Sequence, residues 1–171
     1  MTTQANADLA SFVGTWKLNT ERTSVSFRTS IALIIRAKGT LKATHGDVLV
    51  GADGRVSGEI VIDPASVETN VKKRDNHLRS GDYFDIAHYP TITFTVTEVR
   101  PALPDHLEVV GNLDVHGRST PLTLVAQIDP DGESATLSTE VVITKTMLGM
   151  KKTTPAKSWV MVHAHFDRTR P

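Results

Sequence analysis

In a chain of 171 residues, the absence of cysteine excludes disulfide staples, thiolate metal sites and cysteine nucleophiles, and the length suffices to bury about 70% of the unfolded surface within one domain. The 19 basic and 19 acidic residues cancel, which argues against nucleic acid, whose binders carry a basic surplus. The longest apolar run, Ile31 to Ile35, is far shorter than the ~20 residues that span a bilayer.

Residues 1–12 read as a flexible tail and 13–171 as a single domain. Met1 to Ala10 is small and polar, with no lysine, arginine or apolar stretch of the kind that opens an export signal, so a cytoplasmic location is expected of the chain as written. The dominant signal after the tail is period two, the mark of strands with one buried face. Val56, Gly58, Ile60 and Ile62 alternate with Ser57 and Glu59. From Pro64 to Asp85 the alternation stops, and Arg74 to Ser80 reads as a short helix. Its low apolar content places it on the sheet, anchored by Val71, Leu78, Tyr83 and Phe84.

The clearest strand follows. Ile92, Phe94 and Val96 share one face, and Thr91, Thr93, Thr95 and Thr97 share the other; β-branched threonine suits a solvated pleated surface. Leu107, Val109, Gly111, Leu113 and Val115 form the next apolar face, then Leu122, Leu124, Ala126 and Ile128, then Leu137, Val141 and Ile143. Near the end, Val160, Val162, Ala164 and Phe166 alternate with Trp159, Met161, His163 and His165. Turn signals at Ala52-Asp53-Gly54, His116-Gly117-Arg118 and Pro130-Asp131-Gly132 separate the runs and supply the positive φ that tight hairpins need. Short hairpins join antiparallel strands. Eight to ten such strands suffice to close a barrel, which also removes exposed edges. The expected fold is therefore all-β, a closed antiparallel barrel of about eight strands with a short helix packed on it.

Several segments together resemble the YceI-like family of lipocalin-like, polyisoprenoid-binding barrels. Val67-Glu68-Thr69 resembles the family's "sidT" turn, Arg74 to Ser80 its "RDxHLRS", Asp82-Tyr83-Phe84-Asp85 its "DFFD", and Tyr89 to Phe94 its "YPxITF". Val110 to Gly117 with Pro121 to Leu124 resembles "VxGxLTIHGxxxPVTL". The likeness runs from Trp16 onward. Two places depart: Thr23 to Ile31 lacks the histidine that usually follows the "SxxFxxxH" opening, and Ile143 to Met150 replaces "dR.dFGl". The resemblance implies a barrel that takes in a long lipid-like chain, an isoprenoid, quinone-like or fatty amphiphile, with no chemistry and no other cofactor assigned.

The residues agree with such an interior. With 5% aromatic residues, a wide lumen would be lined chiefly by Val, Ile and Leu, which fill it poorly. The expected lining is Phe27, Ile60, Ile62, Ile92, Phe94, Val96, Leu113, Leu122 and Leu124; a dry packed core of the same residues is the competing reading. Arg74, Arg79 and His77 are candidates for a polar head at the rim, against a structural role in capping and pairing. Met147, Leu148 and Met150 form an apolar patch suited to a mouth loop. His163 and His165 share a strand face, as an H-x-H pair does in a metal enzyme, although no spacing points to a third ligand. A ligand-free, stress-related dimer joined through outward apolar residues such as Val160 and Val162 is the third reading. No nucleophile elbow or phosphate-cradling loop is present.

Overall fold

The computed structural model describes residues 8–31, 35–149 and 157–169. Its strands are β1 (Gly14–Leu18), β2 (Ser24–Ile31), β3 (Ile35–Val50), β4 (Val56–Glu68), β5 (Ile92–Pro101), β6 (His106–Val115), β7 (Arg118–Asp131), β8 (Ser134–Thr144) and β9 (Lys157–Thr169). Two short helices, α1 (Lys72–Arg79) and α2 (Lys145–Leu148), lie in the connections. All pairings are antiparallel, and each strand from β2 to β9 pairs with the next in sequence except at the seam where β9 returns to β1 and β2. β1 and β2 occupy one position in the wall. β1 pairs Gly14 with Val50 of β3 and Leu18 with Phe166 of β9, and β2 continues along both partners from Val25, opposite Leu41 and Val162. The nine strands thus make an eight-position barrel, closed where β3 meets β4, as the period-two pattern predicts.

The gap between β1 and β2 is bridged by hydrogen bonds. The Asn19 amide donates to the His165 carbonyl at 2.8 Å, and the His165 amide donates to Thr23 Oγ1 at 3.1 Å. Asp167 sits beside this gap and accepts from Ser134 Oγ at 2.7 Å and Asn19 Nδ2 at 3.1 Å. Those two bonds, opposed by partial burial and helped by His165, hold its carboxyl below the usual aspartate range. A depressed folded-state pKa gives stability above the unfolded value and loses it as pH falls through the folded one. Asp167→Asn should therefore flatten the dependence of Tm on pH below about pH 4, where an aspartate normally titrates. An unchanged acid limb in a pH-resolved melting series would refute this role.

Two glycines are required by geometry. At the β6–β7 hairpin His116 and Gly117 both have positive φ, 52° and 71°, the paired left-handed backbone of a type I′ turn. The Tyr89 ring packs 4.6 Å from the His116 ring and over Gly117, where a Cβ would come within 2.7 Å of it. In the wall, a Cβ on Gly111 would run into the Thr95 carbonyl and the Phe94 ring, so the neighbouring aromatic covers the bare backbone.

The helix lies where the alternation fails, over Lys72–Arg79. Arg79 ties it to the end of β4, its Nε donating to the Ala65 carbonyl at 2.7 Å and its Nη2 to that of Val67 at 2.8 Å. Buried Asp75 accepts from both the amide and hydroxyl of Thr69, and Arg74 donates to the Thr69 hydroxyl at 2.8 Å and carbonyl at 2.9 Å. These contacts fix the angle at which the 69–91 connection leaves β4. At the opposite end of the barrel, Leu9–Phe12 forms a 3-10 turn within the segment expected as tail, and the Trp16 indole donates to the Phe12 carbonyl at 2.8 Å.

Candidate functional site: an apolar cavity inside the barrel

The inner faces do not meet. They enclose a cavity of about 740 Å³, within the size range of small-molecule sites. Phe27, Ile60, Ile62, Ile92, Phe94, Val96, Leu113, Leu122 and Leu124 all border it. The burial of inward residues shows where the space lies. On β9, Val160 and Val162 are half-buried, whereas Ala164 and Phe166 are buried at 3% and 5% exposure. On β7, Leu122 and Leu124 are half-buried, while Ala126 and Ile128 are buried. The packed core gathers at the Trp16 end, with Trp16, Val56, Leu107, Ile128 and Phe166. The cavity narrows among these residues, where it reaches Leu9 and Phe12, and is roomier toward α1.

At the α1 end the character of the lining changes. Lys73, Arg74, His77 and Leu78 border the cavity together with Tyr83 and Phe84. These four helix positions, spaced three and four apart, share one face. Lys73 and His77 are exposed, so the cavity reaches the surface here. His77 Nε2 lies 3.1 Å from Asp82 Oδ2, and its ring stands edge-on to Tyr83 at 4.9 Å. Lys73 went unrecognised in the sequence, although its place one turn before His77 is the signal that finds it. Across the mouth, the hydroxyls of Thr29 and Ser158 lie 3.1 Å apart on facing strands of the wall.

Other expected residues lie elsewhere. Arg79 does not border the cavity, because its guanidinium is bound to β4 carbonyls. Arg74 and Arg79 are five positions apart, about 140° around a helix, so one face cannot present both. In the mouth-loop patch, Leu148 borders the cavity and half-buried Met147 does not, while Met150 lies outside the described residues. Val160 and Val162, the outward surface of the dimer reading, line the interior instead, since strand alternation sends Trp159 and Met161 outward. His163 and His165 share the outer face and are held separately: His163 Nδ1 lies 2.8 Å from Ser138 Oγ, and His165 Nδ1 lies 2.9 Å from Thr136 Oγ1. Among the described residues, no three His, Cys, Asp or Glu side chains gather as a metal site would need. None of their helices is long and apolar enough to cross a membrane.

The wall topology and the oily interior define a barrel of the lipocalin-like kind with an apolar cavity. The chain belongs to the YceI-like family, whose domain model matches residues 16–167. A UPF0312 protein of Vibrio vulnificus is 31% identical over 112 residues, 64% of this chain and 59% of that protein. A protein YceI of Salmonella arizonae is 39% identical over 74 residues, 43% of this chain and 38% of its own length. The matched region thus spans well under two thirds of these relatives. Among solved structures, Burkholderia cenocepacia BcnA superposes with a TM-score of 0.77 at 19% identity, covering 86% of this chain and 98% of its own. A polyisoprenoid binding domain from Saccharophagus degradans, implicated in plant cell wall breakdown, superposes with a TM-score of 0.70 at 15% identity, covering 90% and 98%. At these identities the structural likeness establishes the fold.

Proposed function

We propose that the protein binds a long apolar amphiphile inside the barrel and stores or carries it, without chemistry. The observation that carries this reading is the cavity of about 740 Å³ walled almost entirely by aliphatic and aromatic side chains. Transfer of each methylene from water into such a space contributes ~0.8 kcal/mol before ordering costs are deducted. An isoprenoid, isoprenoid quinone or fatty acyl chain fits this demand, and the polyisoprenoid binding domain with the same fold supports the first. Shape and greasiness alone discriminate poorly between chains, so the polar rim carries the choice of head. Lys73, Arg74 and His77 are the rim residues, and no carboxylate borders the cavity among the described residues. An uncharged or anionic head suits them.

Native mass spectrometry of the purified protein, with organic extraction, is expected to reveal a co-purifying amphiphile. Leu124→Trp, which projects an indole into the hollow, should leave the barrel folded and weaken binding of a fluorescent long-chain probe by about tenfold or more, since each displaced methylene is worth about fourfold. Unaltered affinity in a folded variant would place the ligand elsewhere.

A further inference from the structure

We infer that the Leu9–Phe12 turn is the floor of the cavity and sets the longest apolar chain the barrel can take in. The inference deepens the binding function proposed above and rests on it.

The two ends of the cavity differ. Its α1 end is bordered by Val71, Lys73 and His77, all exposed, so a chain can protrude there. At the other end no bordering residue is exposed: Leu9 and Phe12 are half-buried, and Trp16 is buried beneath them. Wall side chains such as Ile128 and Phe166 narrow this end of the cavity. Leu9 and Phe12 come from outside the strands and are laid across it.

The turn that carries them is latched from three directions. The Asp8 carboxylate accepts from the Ala10 amide at 3.0 Å, capping the turn. Phe12 offers its carbonyl to the Trp16 indole at 2.8 Å, and its ring lies 6.0 Å from the Trp16 ring. Arg168, at the end of β9, stacks its guanidinium 4.6 Å from the Trp16 ring and donates to the Ser11 carbonyl at 2.6 Å. Each of the three latches includes a hydrogen bond to the backbone of the turn, so its two apolar side chains can be shortened without removing those bonds.

A blind tube measures length. Taking a methylene as about the size of a water molecule, roughly 30 Å³, a cavity of about 740 Å³ holds about 25 carbons. Affinity should rise about fourfold per added methylene while the tail descends, then level off once the tail meets Phe12, with further carbons left at the mouth. Shortening Leu9 and Phe12 to alanine removes nine side-chain carbons and deepens the tube by up to about that many methylenes.

The test is competition by a homologous series of n-alkanols against a fluorescent long-chain probe, on the full chain and on Leu9→Ala/Phe12→Ala. The expected result is a break in the plot of log affinity against chain length, displaced to longer chains in the variant. Val125→Ala, exposed on the outer face of β7 and not bordering the cavity, should leave the break where it is. Should the double variant fail to fold, Leu9→Ala alone and the filling change Leu9→Trp provide the comparison, moving the break to longer and shorter chains respectively. A series that binds with no break, or a break that ignores the floor variants, overturns the inference and leaves the binding function standing. No saturable binding by any alkanol or by the probe overturns both.

Discussion

Trp16→Ala is expected to cost about 3–5 kcal/mol of stability, the range for deleting a large buried aromatic. Trp16 is 4% exposed in the packed end of the barrel and is linked on three sides, by Phe12 stacking, by its indole bond to the Phe12 carbonyl and by the Arg168 guanidinium. Truncation would leave a void against Leu9 and Phe12 and release the turn from the wall. Trp16→Phe separates the contributions, since it keeps most of the ring volume and loses one buried hydrogen bond worth about 1 kcal/mol. Chemical denaturation of both variants provides the measurement. A loss below about 1.5 kcal/mol for the alanine variant would mean that the floor is not supported by this residue.

Asp75→Ala should be nearly as damaging, by about 2–4 kcal/mol, because hydrogen bonds to a charged group contribute more than neutral ones and their orphaned donors stay buried. The carboxylate is 7% exposed and accepts from the Thr69 amide and hydroxyl, while Arg74 holds the same threonine. Alanine strands the Thr69 donors at the point where the chain leaves β4. Asp75→Asn keeps one acceptor oxygen and should recover part of the loss. Hydrogen exchange offers the sharper readout: amides of Thr69 and of α1 should lose protection well ahead of those in β6 and β7. Uniform loss across the barrel would show that Asp75 supports the whole fold and not this connection.

The motif that suggested a ligand rim is in this respect mostly architectural. Of its two arginines one is bound to Ala65 and Val67 and the other to Thr69, so the "RDxHLRS" pattern reads first as the anchor of the helix over the mouth. Only Arg74 and His77 of the three rim candidates reach the cavity. Helical phase alone separates Arg74 from Arg79.

Most strands were legible because alternation is a local property: six of the inner faces, from Val56 to Phe166, are written in every second residue. β3 was not. Its inner positions include Ala37, Gly39 and Ala43, too small to stand out as a hydrophobic stripe, and irregular register at Lys42 and between Ala43 and His45 breaks the period. The role of Leu9 and Phe12 was hidden for another reason, since two apolar residues in a polar segment carry no period at all.

Side-chain order along the chain therefore specified an antiparallel barrel and which residues look inward. Whether those inward residues meet or stand apart depends on how many strands close and with what stagger, which no single strand encodes. The hollow, its closed floor and its basic mouth come from closure, which brings Phe12, Trp16 and Phe166 to one end and Lys73, Arg74 and His77 to the other.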